Sequence, residues 1–440
     1  MNYAAAVAYL TGHERLGIKF GLENIGRLVE ALGHPEKSFR SILVAGTNGK
    51  GSTVALVESI LRAAGYRSAR YTSPHLVRLE ERMMADGEPI GPAELADVVG
   101  KVRRVTAQLR QEQKLLTEPT FFELTTACAL EFFRLKEVEI AVLDVGMGGR
   151  WDATNIVPAD ITAVTNIGFD HERFLGTSLA AIAAEKAATI KPGRPVVTTV
   201  ADEEPLAVIR SEAARQGSPL FEVQREVRSR TKEVEDGQWV RLETPRAVYP
   251  EVFLPLAGRH QVDNLALAVR LAELASQLGF EITKEAVTAG VASTVWEGRL
   301  ERIEGSPPLI IDAAHNPLAA AALARYLGEH PHTNRVLVYG VMKDKRSSAM
   351  LDALLPHVQH LIVTRPPNPR AQDPESVVRV AARRGGSCEA IDSPERALAS
   401  ARLKAGNKGE VIVTGSVFLV GEVKRLLLQA ESWSKEIVEP

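Results

Sequence analysis

Three glycines, a lysine and three hydroxyl residues crowd into one stretch of this chain, GTNGKGST at positions 46–53. Residues of these types suit one task. Glycines at 46, 49 and 51 lack a Cβ, so backbone N–H groups can approach the oxygens of an anion. A helix opening at that point adds its positive N-terminus. Lys50 brings an ammonium to the terminal phosphates of a nucleotide, and Ser52 supplies an oxygen for Mg²⁺. Thr47, Asn48, Gly49, Gly51 and Thr53 complete the cradle. The usual phosphate loop puts four residues between its first glycine and Gly-Lys; here only Thr47 and Asn48 separate Gly46 from Gly49, so this is a shorter variant. A glycine-rich strand-to-helix turn that holds no nucleotide is the alternative reading.

The elements that must position this loop are legible on either side of it. A β-rich run at 41–45 feeds the turn, and helical spacing over 54–64 follows. Further apolar runs at 140–145, 161–166 and 195–200 alternate with helix-period segments, a pattern that predicts a parallel α/β sheet. The polar stretch 225–250 alternates around Trp239, Val240 and Leu242 and predicts a small antiparallel excursion before a helix beginning near His260. A second series starts after Arg299, with strands expected at 309–312, 336–340, 361–364 and 411–414. A helix is expected at 317–326, where Pro317 suits a first turn. The expected division is an N-terminal ATP-binding domain, residues 1–296, and a smaller Rossmann-like domain, residues 297–440. At 440 residues the chain is long enough for two cores.

Composition removes several classes. A formal charge of −2 gives no general field for nucleic acid or an anionic bilayer. Two distant cysteines, Cys128 and Cys388, argue against a disulfide framework or a thiolate zinc site. No apolar run is long enough for a membrane span and the first residues carry no leader pattern, so a cytoplasmic protein is expected.

GTNGKGST followed by Ser73-Pro74-His75-Leu76 resembles the folylpolyglutamate synthase/dihydrofolate synthase family of the Mur ligase superfamily. The resemblance continues through residues 20–25, Phe122-Glu123, DVGMGGRWDATN at 144–155, Asp170-His171, Glu185-Lys186, His260-Gln261 with Asn264, Gly298-Arg299, residues 312–317 and Arg370-Ala371. It implies a three-layer ATPase domain, a smaller C-terminal domain and catalysis in the cleft between them. It also implies ligation of L-glutamate to dihydropteroate or a reduced folate through an acyl phosphate, with release of ADP and phosphate. ATP, two Mg²⁺ sites and a monovalent cation are the expected small partners, with the chain acting as a monomer.

The residue roles follow from the same resemblance. Lys50 and Arg299 would neutralise the transferring phosphoryl group, Arg299 arriving by domain closure; otherwise it is a linker surface charge. Ser52, Glu123 and His171 would ligate Mg²⁺. Lys186 would be carbamylated, becoming an anionic oxygen ligand, which requires a buried amine with a lowered pKa. Asn264 would read adenine, Asp312 would contact the nucleotide, and His315 the incoming glutamate or the acyl phosphate. Ser73, His75 and Asp152 would line the pteroate and amino-acid pockets. Each has a plainer reading: a helix cap for Glu123, an exposed helix lysine for Lys186, an N-cap arrangement for Asp312 and His315. Residues 78–88, with Met83 and Met84, read as a flap over an aromatic ligand or as an ordinary turn.

Four positions depart from the family pattern: Asp144 for Glu, Ala188 for Gly, Glu297 for Pro and Arg346 for an acidic residue. None touches the phosphate loop. Two rivals remain open, a Mur-type ligase acting on a peptidoglycan precursor or polyamide, and a regulatory nucleoside triphosphatase whose phosphate loop drives a conformational switch.

Overall fold

The computed structural model describes residues 1–17 and 19–438. The first sheet has eight strands: β1 (Arg40–Ala45), β2 (Ser68–Tyr71), β3 (Met83–Ala85), β4 (Glu88–Pro89), β5 (Ile140–Asp144), β6 (Ile161–Val164), β7 (Val196–Thr198) and β8 (Leu220–Glu222). Their spatial order is β4-β3-β2-β5-β1-β6-β7-β8. All pairings are parallel except those of β3 with β2 and β4.

Alternation along β1 explains the layering, because successive side chains point to opposite faces. Leu43 and Ala45 join a core with helices Glu23–Ala31, Pro92–Gln111 and Phe121–Leu135. Ile42 and Val44 join a second core with helices Lys50–Ala63, His260–Ala275 and Lys284–Ala292. The result is the three-layer α/β arrangement expected from the pattern. The antiparallel excursion is a three-stranded sheet, β9 (Arg228–Val234), β10 (Gly237–Glu243) and β11 (Val248–Leu254). Val240 and Leu242 face the second core while Trp239 stays exposed.

The smaller sheet comprises β12 (Glu301–Ile303), β13 (Leu309–Ile311), β14 (Arg335–Tyr339), β15 (His360–Val363), β16 (Ser387–Ala390) and β17 (Glu410–Thr414), in the order β12-β13-β17-β14-β15-β16. Only β12 runs antiparallel to its neighbour. Residues 78–88 match the expected ordinary turn before a strand. They form a 3₁₀ turn, Leu79–Arg82, and the antiparallel edge strands β3 and β4, with Met83 fully buried in the first core. Among the described residues no helix is long and apolar enough to cross a membrane.

Candidate active site

β1 delivers the chain to Gly46, and helix Lys50–Ala63 begins four residues later. Gly46 has φ 145°, and a Cβ there would lie 1.8 Å from Thr165 Oγ1, so only glycine fits. The segment after β6 braces the turn. Thr47 N–H donates to the Asn166 carbonyl at 2.8 Å, Asn48 N–H to Asn166 Oδ1 at 2.8 Å, and Thr165 Oγ1 donates to the Asn48 carbonyl at 2.6 Å. Gly49, at φ 82°, caps the helix, and the first-turn N–H groups beyond it have no intrahelical acceptor. Lys50 Nζ makes one hydrogen bond, to the Thr47 carbonyl at 3.3 Å. Asn264 borders the same turn: its Oδ1 lies 2.3 Å from where a Cβ on Gly49 would be.

Behind the loop lies a buried charge cluster. Lys186, on helix Leu179–Ala187, is 5% exposed and donates from Nζ to the Gly46 carbonyl at 2.7 Å. Burial, reinforced by the Lys50 charge, lowers its pKa to about 7. Asp144 ends β5, and burial lifts its carboxyl to about 6 although Lys50 and Arg299 pull the other way. Its Oδ2 accepts from Ser73 N–H at 3.3 Å, while its buried Oδ1 has no partner among the described residues. Arg299 is half-buried, and desolvation lowers its pKa against the pull of Asp312 and Asp144. Arg299 Nη1 donates to its neighbour's carbonyl, Gly298 O, at 2.9 Å, and its charge faces the carboxylates of Asp312 and Asp144. Asp144 thus feels the charges of Lys50 and Arg299, and Lys186 those of Lys50 and Asp144.

The loop also touches the second domain directly. Asn48 and Asn316 exchange side-chain amide bonds, Nδ2 to Oδ1 at 3.0 Å one way and 2.8 Å the other. Asn316 Nδ2 further donates to Asp170 Oδ2 at 3.1 Å, and its Oδ1 caps helix Pro317–Glu329 through Ala319 N–H at 2.9 Å. Asp170 is paired with Lys345 and faces His315 Nε2 at 3.4 Å. Burial alone would raise the Asp170 carboxyl, but the His315 hydrogen bond and the charges of His315, His171 and Lys345 hold it well below the usual carboxylate range. Arg346 forks onto Glu172 at 2.6 and 2.5 Å and lies over the Phe169 ring at 4.4 Å. The departure at 346 thus has a partner of opposite charge across the seam.

Two family models match, the Mur ligase middle domain over residues 44–272 and the Mur ligase glutamate ligase domain over 298–417. The dihydrofolate synthase/folylpolyglutamate synthase of Bacillus subtilis is 33% identical over 431 residues, 97% of this chain and 99% of that protein. The chain belongs to the dihydrofolate synthase/folylpolyglutamate synthase family of Mur ligases. Folylpolyglutamate synthase of Lacticaseibacillus casei is 34% identical, covering 98% of this chain and all of that one. Among solved structures, Mycobacterium tuberculosis folylpolyglutamate synthase complexed with ADP superimposes with a TM-score of 0.91 at 33% identity, covering 97% and 99% of the two chains. The E. coli protein in complex with DHPP and ADP gives 0.86 at 31% identity, covering 98% and 99%.

Other residues expected from the family carry visible local duties. Glu123 does form the helix cap: its Oε2 accepts from Thr120 N–H at 2.7 Å and from Thr120 Oγ1 at 2.8 Å, while Oε1 takes no hydrogen bond among the described residues. Asp152 closes the turn after β5, accepting from Met147 N–H at 2.9 Å and Thr154 N–H at 3.0 Å. Asp312 accepts from Leu300 N–H and Ala314 N–H, both at 2.9 Å, which fixes the backbone beside Arg299. His75 Nδ1 accepts from Arg82 Nε at 2.8 Å; burial and that guanidinium lower its pKa to about 4. Ser52 is buried in the first helical turn. His171 adopts a left-handed backbone, φ 50°, and burial keeps its imidazole neutral with a pKa of about 4.

Sequence reasoning assigned no role to Asp170, Lys345, Asn316 or Trp296. Asp170 sits in a quoted motif and Asn316 directly precedes Pro317, a capping signature that was available. Nothing local marks Lys345. Trp296 packs so closely on the phosphate loop that a Cβ on Gly51 would lie 2.4 Å from its ring.

Proposed function

We propose that the chain joins L-glutamate to the carboxylate of dihydropteroate and to the γ-carboxylate of reduced folates, consuming ATP and releasing ADP and phosphate. Amide formation from a free carboxylate is uphill in water, so the acceptor carboxylate first takes the terminal phosphoryl group of ATP. The amine of glutamate then attacks the acyl carbon and phosphate leaves. The protein's part is to align three substrates and neutralise charge. Lys50 and the free N–H groups of Gly49–Ser52 bind the nucleotide's phosphates. Arg299, lying between Asp144 and Asp312, reaches the same charge from the hinge. Asp170, held ionised, fixes His315, which orients the incoming amino acid, and Asn264 reads the base.

The donors fit Mg²⁺, a hard cation that keeps waters and takes few protein oxygens. Ser52 and the free Oε1 of Glu123 would hold a first ion and the neutral imidazole of His171 a second, and when bound they would supply countercharge to the phosphates. Lys186 meets the demand for carbamate formation. With a pKa of about 7 a large share of its amine is neutral at cellular pH. That amine adds to the carbon of CO₂ with loss of one proton, and the product anion offsets Lys50. We place the domain division at residues 296/297.

The observation that carries this reading is the reciprocal amide pair of Asn48 and Asn316, which ties the phosphate loop to the domain expected to bind glutamate. The test is coupled ADP release with dihydropteroate, tetrahydrofolate and a UDP-sugar acceptor, each with and without glutamate. Release that requires a folate acceptor and glutamate together supports the proposal. Strict dependence on the UDP-sugar overturns it, as does rapid release with no acceptor.

A further inference from the structure

A cavity of about 320 Å³ opens between helix Lys50–Ala63, β2, the Pro74–Leu76 turn and the hinge around Trp296, with Arg299 on its wall. None of the roles assigned above uses its floor. Arg70, on β2, is 9% exposed, and its guanidinium makes no hydrogen bond to any described residue. Its one charge partner is Glu58 at 3.7 Å, beyond hydrogen-bonding distance, and its cation lies over the Trp296 ring at 5.4 Å. A buried guanidinium without acceptors is costly, because the water it lost is not replaced.

The unmatched atoms around the cavity share one sign. Arg70 Nε and Trp296 Nε1 are buried without hydrogen-bond partners, and both are donors; Arg62 Nε, likewise without a hydrogen bond, lies 3.4 Å from Glu58 in an ion pair. Two of the three acidic residues of the wall are committed elsewhere. Glu81 accepts from the N–H groups of Leu76, Val77 and Arg78, and Glu297 pairs with Lys424 at 2.7 Å. Glu58 accepts from Ser68 Oγ at 2.9 Å and is the one carboxylate that faces the cavity's guanidiniums, Arg62 at 3.4 Å and Arg70 at 3.7 Å, so it is shared between two cations. Such a wall calls for an oxygen-rich anion, and planar forked donors match a carboxylate.

Position narrows the choice. Lys50 opens the helix, and Glu58 and Arg62 lie eight and twelve residues further along it, about 12 and 18 Å down the axis at the usual rise. The amine of an incoming glutamate must sit at the acyl phosphate, so its own five-carbon frame does not reach that floor. A glutamyl residue already attached to the acceptor, upstream of the one being extended, lies a full residue further from the acyl carbon and would have the length to span that distance.

We propose that this cavity binds the carboxylate of an earlier glutamyl residue on the acceptor's tail, with Arg70 as its anchor and Trp296 Nε1 as a second donor. The enzyme then favours acceptors that carry more than one glutamate. This rests on the folate-ligase reading, and the experiment separates the two. Wild-type enzyme is assayed for kcat/KM with tetrahydrofolate bearing one, two and three γ-linked glutamates, and the same series is run on Arg70→Gln and Trp296→Phe. Absence of turnover with every folate would sink the ligase reading itself. Given turnover, the wild type prefers the longer tails, and Arg70→Gln reduces the ratio of kcat/KM for di- over monoglutamate about tenfold, the effect of one lost charge-assisted hydrogen bond. Trp296→Phe keeps an aromatic face but loses the N–H together with the five-membered ring, and it reduces the same ratio a fewfold. A ratio unchanged in both variants, or equal losses for all three acceptors, overturns the proposal.

Discussion

Replacing Asn316 by serine isolates the bond between phosphate loop and second domain. Serine keeps an oxygen at the N-cap of helix Pro317–Glu329, so the capping bond to Ala319 survives. It is too short to reach Asn48 or Asp170. Two neutral amide bonds, at 3.0 and 2.8 Å, and one bond to a carboxylate, at 3.1 Å, are lost. Neutral bonds contribute about 1 kcal/mol each and a bond to a charged group about 2, while Asp170 remains held by Lys345 and His315, so the closed arrangement loses about 2–4 kcal/mol. If that arrangement is the one in which chemistry occurs, kcat/KM for glutamate falls thirty- to thousandfold, at about 1.4 kcal/mol per decade. Binding of ADP to the loop, measured by calorimetry, changes far less because Lys50 and the first-turn N–H groups are untouched. A variant whose kcat/KM matches the wild type would refute the reasoning. So would a loss confined to thermal stability.

Three further outcomes follow from particular residues. Gly49→Ala forces φ 82° on a residue with a Cβ, about 1–2 kcal/mol, and drives that Cβ toward Asn264 Oδ1; ADP affinity should fall at least tenfold by calorimetry, and unchanged affinity would contradict the geometry. His75 has a pKa of about 4 when folded against 6.5 when exposed. Between those values the unfolded chain holds the extra proton, so stability falls by at most about 3 kcal/mol as pH drops through that window. His75→Gln, which still offers Arg82 an acceptor, should flatten urea-midpoint against pH between 6.5 and 4. Arg346→Glu sets a carboxylate opposite Glu172 and removes the cation from Phe169; KM for glutamate should rise severalfold and recover partly in high salt, as a screened repulsion would.

Buried strands were legible because continuous apolar runs have little else to do in a parallel sheet. β1, β5, β6, β13, β14, β15 and β17 fall within a residue or two of expectation. β2 and β16 were missed for a physical reason: Ser68-Ala69-Arg70-Tyr71 and Ser387-Cys388-Glu389-Ala390 carry polar residues that only tertiary neighbours make tolerable. The phosphate loop was legible down to single glycines, since its chemistry is local. The Asp170 hub was not. Its partners stand at 315, 316 and 345, brought together by the packing of two domains, and no periodicity records a meeting of that kind.

The indole against Gly51 alters how damage at that position would read out. Any side chain there strikes Trp296, which belongs to the span joining the two lobes, before it strikes a phosphate. A lesion at Gly51 would therefore present in kinetics as poor nucleotide handling while its strain is lodged in the hinge. Shrinking the indole, not restoring the loop, is the change that would relieve it.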